Sequence, residues 1–169
     1  MNKVLFLDRD GVINVDTGYV YEIDKFVFMP RIFELCNYFI EKKFKIIIVT
    51  NQSGIGRGYY DLRAFFKIND WMIKQFQNHG IEILDVFFCP HTPEENCDCR
   101  KPKSKLFNLA IQKYDIDTNN SWMIGDKESD IVAAKNVKIS NTILITNSNE
   151  ISIEVGHRVK KISEIFSLL

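Results

Sequence analysis

Residues Ile46-Ile47-Ile48-Val49 form an unbroken run of β-branched side chains with no polar residue alternating among them. A strand of that composition has no solvent face, so it belongs inside a parallel sheet that helices cover on both sides. Lys3 to Asp8, Ile83 to Cys89, Ser121 to Ile124 and Thr142 to Ile145 are short apolar runs of similar kind. Helical spacing fills the intervals. Arg31 to Lys42 places Ile32, Leu35, Cys36, Phe39 and Ile40 on one face. Asp61 to Asn78 repeats the pattern through Leu62, Phe65, Phe66, Asn69, Met72, Ile73 and Phe76, and Gly80 stands where a helix terminator belongs. Lys105 to Tyr114 reads as another helix, a further one begins within Asp130 to Lys135, and a Gly-rich loop follows Thr50. This alternation predicts an α/β fold: an open, mainly parallel, Rossmann-like sheet flanked by helices. In such sheets ligands sit in the crevice beyond the carboxyl ends of the strands. The tail from Asn147 predicts only a short strand at Arg158 to Lys160 and a helix through Ile165 and Leu168.

A chain of 169 residues supports one hydrophobic core, so residues 1–169 are expected to form a single domain. Lysine plus arginine equals aspartate plus glutamate at 22 each, which leaves no basic field for nucleic acid and makes any phosphate recognition local. No apolar run approaches the roughly 18 residues of a membrane span, so no membrane partner is expected. No leader-like stretch precedes the first strand, and a cytoplasmic, monomeric protein is the expectation.

Polar groups stand at the predicted carboxyl ends of successive strands. Asp8-Arg9-Asp10-Gly11 closes the first, Thr50-Asn51 the second, Lys101 lies beyond the third, and Asp126 with Asp130 follows the fourth. Asp and Gly also simply terminate strands, and it is the convergence at one edge that points to chemistry. A second constellation is Cys89-Pro90-His91 with Cys97-Asp98-Cys99, three thiols and an imidazole within eleven residues. That donor set suits tetrahedral Zn²⁺ and leaves no open position, so a structural zinc-binding loop is expected, fixing the segment that carries Arg100 and Lys101. Cys36 lies on an apolar helical face and reads as core, whereas His79 and His157 read as surface residues.

Four elements in this order, Asp8-Arg9-Asp10-Gly11-Val12-Ile13-Asn14, Thr50 after an apolar strand, Arg100-Lys101-Pro102 and Gly125-Asp126-Lys127-Glu128-Ser129-Asp130, resemble the motifs of the haloacid dehalogenase superfamily of phosphohydrolases. The resemblance spans roughly Met1 to Lys135. It implies that Asp8 is a nucleophile forming an aspartyl phosphate and that Asp10 is the general acid and base. Thr50 and Lys101 would stabilise the transferred phosphoryl group, with Lys103 and Lys105 as rivals for the lysine role. Mg²⁺ would be held by Asp8, Asp126 and the backbone carbonyl of Asp10. Asp130 either orients the metal's water shell or simply favours a helix N-terminus.

The zinc loop narrows the resemblance to two sister groups, the D-glycero-D-manno-heptose 1,7-bisphosphate 7-phosphatases and the histidinol-phosphate phosphatases. Asn14 to Val20, Ile23 to Phe26, Thr50 to Gly58 and Gly125 to Lys127 look like the heptose group. Lys105-Leu106 departs from the Gly-Met usual there and looks more like the histidinol group. The heptose reading has matches in more segments and is preferred. A small phosphorylated sugar is then the expected partner, contacted by Asp16, Thr17, Gly18, Tyr19, Asn51, Gln52, Ser53, Arg100 and Lys127. Arg100 suits a remote phosphate because its guanidinium fork matches two phosphate oxygens. Arg57 could instead cap a turn among its glycines. No cap domain fits between the motifs, so small loops must close the pocket. Of two readings of another class, a non-enzymatic phospho-receiver gives no task to the added acid/base carboxylate of the Asp8-x-Asp10 pair or to the zinc loop, and an inactive zinc-binding module is at odds with intact Asp8, Asp10, Lys101 and Asp126.

Overall fold

The computed structural model describes all 169 residues. In chain order its elements are β1 (Val4–Leu7), α1 (Ile32–Glu41), β2 (Lys45–Asn51), α2 (Ser53–Gly56), α3 (Leu62–Asn78), β3 (Ile83–Cys89), α4 (Lys105–Tyr114), β4 (Trp122–Gly125), α5 (Glu128–Lys135), β5 (Asn141–Ile145) and β6 (His157–Val159). The strands form one sheet in the order β3-β2-β1-β4-β5-β6, and every neighbouring pair is parallel. After β3 the chain crosses β1 to lay down β4 on its other side. The carboxyl end of β1 is thus the switch point where a parallel sheet opens a crevice.

Both faces of the sheet are covered, as the Ile46–Val49 run requires. Leu5, Leu7, Ile46 and Ile48 pack under α1 and α3 with Leu35, Phe39, Met72 and Phe76. Val4, Phe6, Ile47 and Val49 point the other way, onto Leu106, Phe107 and Ala110 of α4 and Ala133 and Ala134 of α5. All four residues from Ile46 to Val49 are fully buried. Burying each such side chain contributes about 1.5–3 kcal/mol, so the central strands anchor the loops at their ends.

Three expectations are corrected. The stretch after β2 is not all loop, because Ser53–Gly56 winds into a short helix, with Arg57 N–H donating to the Ser53 carbonyl. On α3 the buried stripe is Phe65, Ile68, Met72 and Phe76, while Leu62 and Phe66 are exposed. The chain end at Ile162–Ser167 is a 3-10 helix whose Ile162 and Ile165 reach the core. No helix is long and apolar enough to cross a membrane. No cap domain interrupts the sheet order, and the β1–α1 segment contributes turns, one 3-10 turn at Ile23–Lys25 and isolated β-bridges that pair Asn14 with Asp10 and Phe28.

Candidate active site

Asp8 follows β1 directly, and Lys101 reaches under it from the segment after β3. The Lys101 ammonium is 3.0 Å from Asp8 Oδ1 and 2.7 Å from Asp130 Oδ1, and it donates to the Val49 carbonyl at 2.7 Å. Its side chain is 1% exposed, so these are buried charge-assisted bonds. Burial alone would depress its pKa, yet the Asp130 and Asp8 carboxylates push it well up and the ammonium stays charged. The Arg9 N–H also donates to Asp8 Oδ1, at 2.8 Å. Asn51 fixes the backbone of Lys101 reciprocally: its Nδ2 donates to the Lys101 carbonyl at 3.2 Å, and Lys101 N–H donates to its Oδ1 at 3.1 Å.

Oxygens of Asp8, Asp126 and Asp130 lie within 4.8 Å of one another. Three carboxylates face one contacting ammonium, so when all are ionised the cluster lacks two positive charges. Burial, then Asp130, pushes the Asp126 carboxyl up to about 6, and burial with the same neighbour raises Asp8 despite Lys101. Asp126 Oδ1 is buried without any partner. Orphaned oxygen, raised carboxyls and missing charge together fit a divalent cation with oxygen ligands. Gly11 makes room for this cluster, since at its φ of +88° a Cβ would fall 2.2 Å from Asp126 Oδ2. Asp130 is tied back to its own helix, accepting from Asp126 N–H at 3.2 Å and Lys127 N–H at 3.1 Å through Oδ2. It thereby caps the N-terminus of α5 and also holds Lys101.

Asp10 sits in a separate network. Its Oδ1 accepts from Arg9 Nη2 at 2.9 Å and Asn14 Nδ2 at 3.0 Å, and its Oδ2 accepts from Gln52 Nε2 at 3.0 Å. Donors on both oxygens fix the carboxyl plane. Together these groups floor a cavity of about 350 Å³, lined by Asp8, Asp10, Asp16, Gly18, Tyr19, Asn51, Gln52, Ser53, Arg57, Tyr60, Arg100, Lys101, Lys127, Ser129 and Asp130. Apart from the two tyrosines this lining is polar, charged or glycine, whereas small-molecule sites are mostly apolar. Burial works against the Lys127 ammonium, yet Asp126 and Asp8 hold its pKa above the ordinary value. One nitrogen of Arg100, Nη1, is buried without a partner. The cavity can therefore hold a compact, strongly anionic, hydroxyl-rich molecule.

The Cys/His loop stands just outside it. Ligand atoms of Cys89, His91, Cys97 and Cys99 lie within 4.8 Å of one another, and all four cysteines of the chain are free thiols. The Sγ atoms of Cys97 are 3.5 Å from Cys89 and 3.7 Å from Cys99, close to the roughly 3.8 Å edge of a tetrahedron with Zn–S of about 2.3 Å. Cys89 and Cys99 stand closer, at 2.8 Å, and the His91 Nδ1 is 3.4 and 3.2 Å from those two sulfurs. Burial opposes ionisation of Cys97, but N–H groups of Arg100 and Cys99 pull its thiol down to about 6. The Arg100 contact is an N–H to Sγ bond of 3.4 Å, which ties this cluster to the residue before Lys101.

A HAD-hydrolase-like family profile matches residues 98–157. D-glycero-alpha-D-manno-heptose-1,7-bisphosphate 7-phosphatase of Campylobacter jejuni is 44% identical over 98% of this chain and 94% of that protein. The beta-anomer 7-phosphatase of Helicobacter pylori strain 26695 is 46% identical over 85% of this chain and 84% of its own. The chain belongs to the haloacid dehalogenase superfamily of phosphatases. Within it, the chain is closely related to the heptose bisphosphate 7-phosphatases, and it is a phosphatase enzyme. A D,D-heptose 1,7-bisphosphate phosphatase from B. bronchiseptica, solved with magnesium and phosphate, superposes with a TM-score of 0.87 at 26% identity, covering 99% of each chain.

Most residues expected at the site of this HAD phosphatase line its cavity, whereas Thr17, Thr50 and Asp126 are not in its lining. Thr17 lies in a neighbouring surface groove beside Tyr21 and Lys25. Thr50 is fully buried behind the cavity, and its hydroxyl accepts from Gln52 Nε2 at 2.9 Å instead of facing the pocket. Arg57 places its backbone at the end of α2 as expected of a turn cap, while its side chain lines the cavity. The rival lysines are occupied elsewhere: Lys103 donates to the Cys97 carbonyl and Lys105 pairs with Asp98 at 2.8 Å. Cys36 is core, its thiol pushed up to about 12 by burial, and His79 and His157 are exposed, as expected. Arg9 and Tyr60 had no assigned role. Arg9 is 2% exposed, bonds Val20 O at 2.6 Å and pairs with Asp10. A cation between two aspartates was the signal available for it; Tyr60 had none.

Proposed function

We propose that residues 1–169 act as one domain that removes the 7-phosphate of D-glycero-D-manno-heptose 1,7-bisphosphate with Mg²⁺ as cofactor. The observation that carries the phosphatase chemistry is Asp8, held on Oδ1 by Lys101 and Arg9 N–H, with Asp10 two residues on, at the floor of a polar cavity. The substrate is supported by the relatives from C. jejuni and H. pylori, which carry that activity in their names. Arg57, Arg100 and Lys127 are the cavity's remaining cations, suited to the distal phosphate.

In this reading an Asp8 oxygen attacks phosphorus and forms the aspartyl phosphate while the bond from phosphorus to the sugar oxygen breaks. Asp10 gives its proton to that departing oxygen. Asp10 then takes a proton from water as the water oxygen attacks phosphorus, which frees Asp8 and inorganic phosphate. Lys101 offsets charge at the reacting centre and keeps Asp8 in place. Asp8, Asp126 and the Asp10 carbonyl would hold Mg²⁺, and the bound ion supplies charge neutralisation and orients the phosphoryl oxygens. Cys89, His91, Cys97 and Cys99 would hold a structural Zn²⁺ that keeps Arg100 and Lys101 in register.

Phosphate release from both anomers of heptose 1,7-bisphosphate, histidinol phosphate and p-nitrophenyl phosphate tests the substrate. A heptose bisphosphate is expected to give the highest kcat/KM, and a clear preference for histidinol phosphate would reverse the assignment. The metals are tested together. Mild chelation should abolish turnover and Mg²⁺ restore it, while elemental analysis finds one zinc retained per chain; zinc-free active protein would reject the Cys/His site. Mg²⁺ at 100 times its Kd should add about 2.7 kcal/mol, or roughly 5–10 °C in Tm. A carboxyl raised on folding, as Asp126 is to about 6, adds stability at low pH and loses it as pH rises from its ordinary 3.8 through 6. At one fixed Mg²⁺ concentration the gain should accordingly be larger at pH 7.5 than at pH 5, and an equal gain would contradict this ligand set.

A further inference from the structure

Gln52 is buried at the cavity floor with its amide fully committed. Its Nε2 donates to Asp10 Oδ2 at 3.0 Å and to Thr50 Oγ1 at 2.9 Å, while its Oε1 accepts from the Tyr60 hydroxyl at 2.5 Å. An amide can be turned over, exchanging its donor and acceptor ends. Turned over, Gln52 would aim an oxygen at a carboxylate oxygen of Asp10, which only accepts, so the carboxylate disfavours that orientation. The Tyr60 hydroxyl, by donating to Oε1 at the far end, holds the amide in the orientation in which the NH₂ meets Asp10. Burial pushes Tyr60 up to about 12, so it remains a donor throughout the range in which a phosphatase works. Its ring is built in, stacked on Tyr21 with centroids 5.0 Å apart, and it passes so close to α2 that a Cβ on Gly54 would lie 2.2 Å from it.

We propose that Tyr60 is a positioning residue for proton transfer: it orients the Gln52 amide, which in turn holds the Asp10 carboxyl plane. The inference rests on Asp10 being the proton-transfer residue. It gives Gln52 a task other than substrate contact, and it gives the Tyr60 hydroxyl at the cavity wall a task as well.

Three variants test it: Tyr60→Phe, which keeps the ring and its stacking, Gln52→Met, and the double variant, with Asp10→Asn as reference. Each is assayed on the sugar bisphosphate and on p-nitrophenyl phosphate, whose leaving group needs no proton. Tyr60→Phe should lower kcat on the sugar substrate by roughly 5- to 20-fold, a fraction of the proton-transfer contribution. KM should hardly move, and the loss on the aryl substrate should be smaller. Because the two residues act in series, the double variant should be no worse than Gln52→Met alone. Circular dichroism and melting of each variant exclude a folding defect. Equal losses on both substrates, or additive losses in the double variant, would overturn the role of Tyr60 while leaving Asp10 standing. If Asp10→Asn itself shows no leaving-group dependence, the reading of Asp10 falls and this inference with it.

Discussion

Asp8→Asn is expected to remove turnover, by on the order of 10⁴-fold or more, because an amide oxygen cannot form the aspartyl phosphate. The fold should survive, since the substitution keeps the side-chain shape and lowers the charge of a cluster that is already short of cations. Asp10→Asn is expected to be milder, with a loss of about 10²- to 10⁴-fold that shrinks for nitrophenolate as leaving group. Steady-state rates on both substrate types check the pair. Near-normal turnover in Asp8→Asn would remove it from the nucleophile's role.

Lys101→Met has the second large effect, because it acts on both stability and rate. With the ammonium gone, Asp8 and Asp130 stand buried without the charge that now lies 3.0 and 2.7 Å away. Breaking such a pair costs about 3–5 kcal/mol, which for a chain of this size lowers Tm by roughly 6–20 °C. Turnover should fall by about 10²- to 10³-fold, the usual loss on removing a charge-stabilising donor. Lys101→Arg should not rescue it, since three acceptors converge on a compact, buried ammonium whose geometry a planar guanidinium does not reproduce. Melting curves and kcat check this, and a Lys101→Met protein that melts like the parent would show that the ion pair contributes nothing to the fold.

What could be read before the structure was known follows from how local each signal is. β2 was legible because Ile46 to Val49, four β-branched side chains in a row, suit a strand buried under helices on both faces, which is where they lie. The α3 stripe was not, because Leu62 and Phe66 continue an apolar pattern that stays largely exposed, Phe66 meeting β3 only edge-on at Phe88; the buried stripe is chosen by packing of Ile68, Met72 and Phe76 on Ile46, Ile48 and Ile83. Two glycines within Ser53–Gly56 hid a short helix. In the site, Asp8, Asp10, Lys101 and Asp126 were legible from their residue types at strand ends. The tasks of Asn51 and Thr50 were not, because they are set by partners across the fold: Asn51 holds Lys101 fifty positions away, and Thr50 receives an amide already engaged by Tyr60.

The covalent step at Asp8 is tested most directly by acid-quenching Asp10→Asn during its first turnover of p-nitrophenyl phosphate. That variant keeps the nucleophile and a leaving group that departs without a proton, but lacks the base that activates water, so the intermediate should accumulate. Mass spectrometry of the quenched, digested protein is expected to find a phosphoryl group on Asp8, rising with a burst of nitrophenolate. A full nitrophenolate burst with Asp8 unmodified would contradict the account.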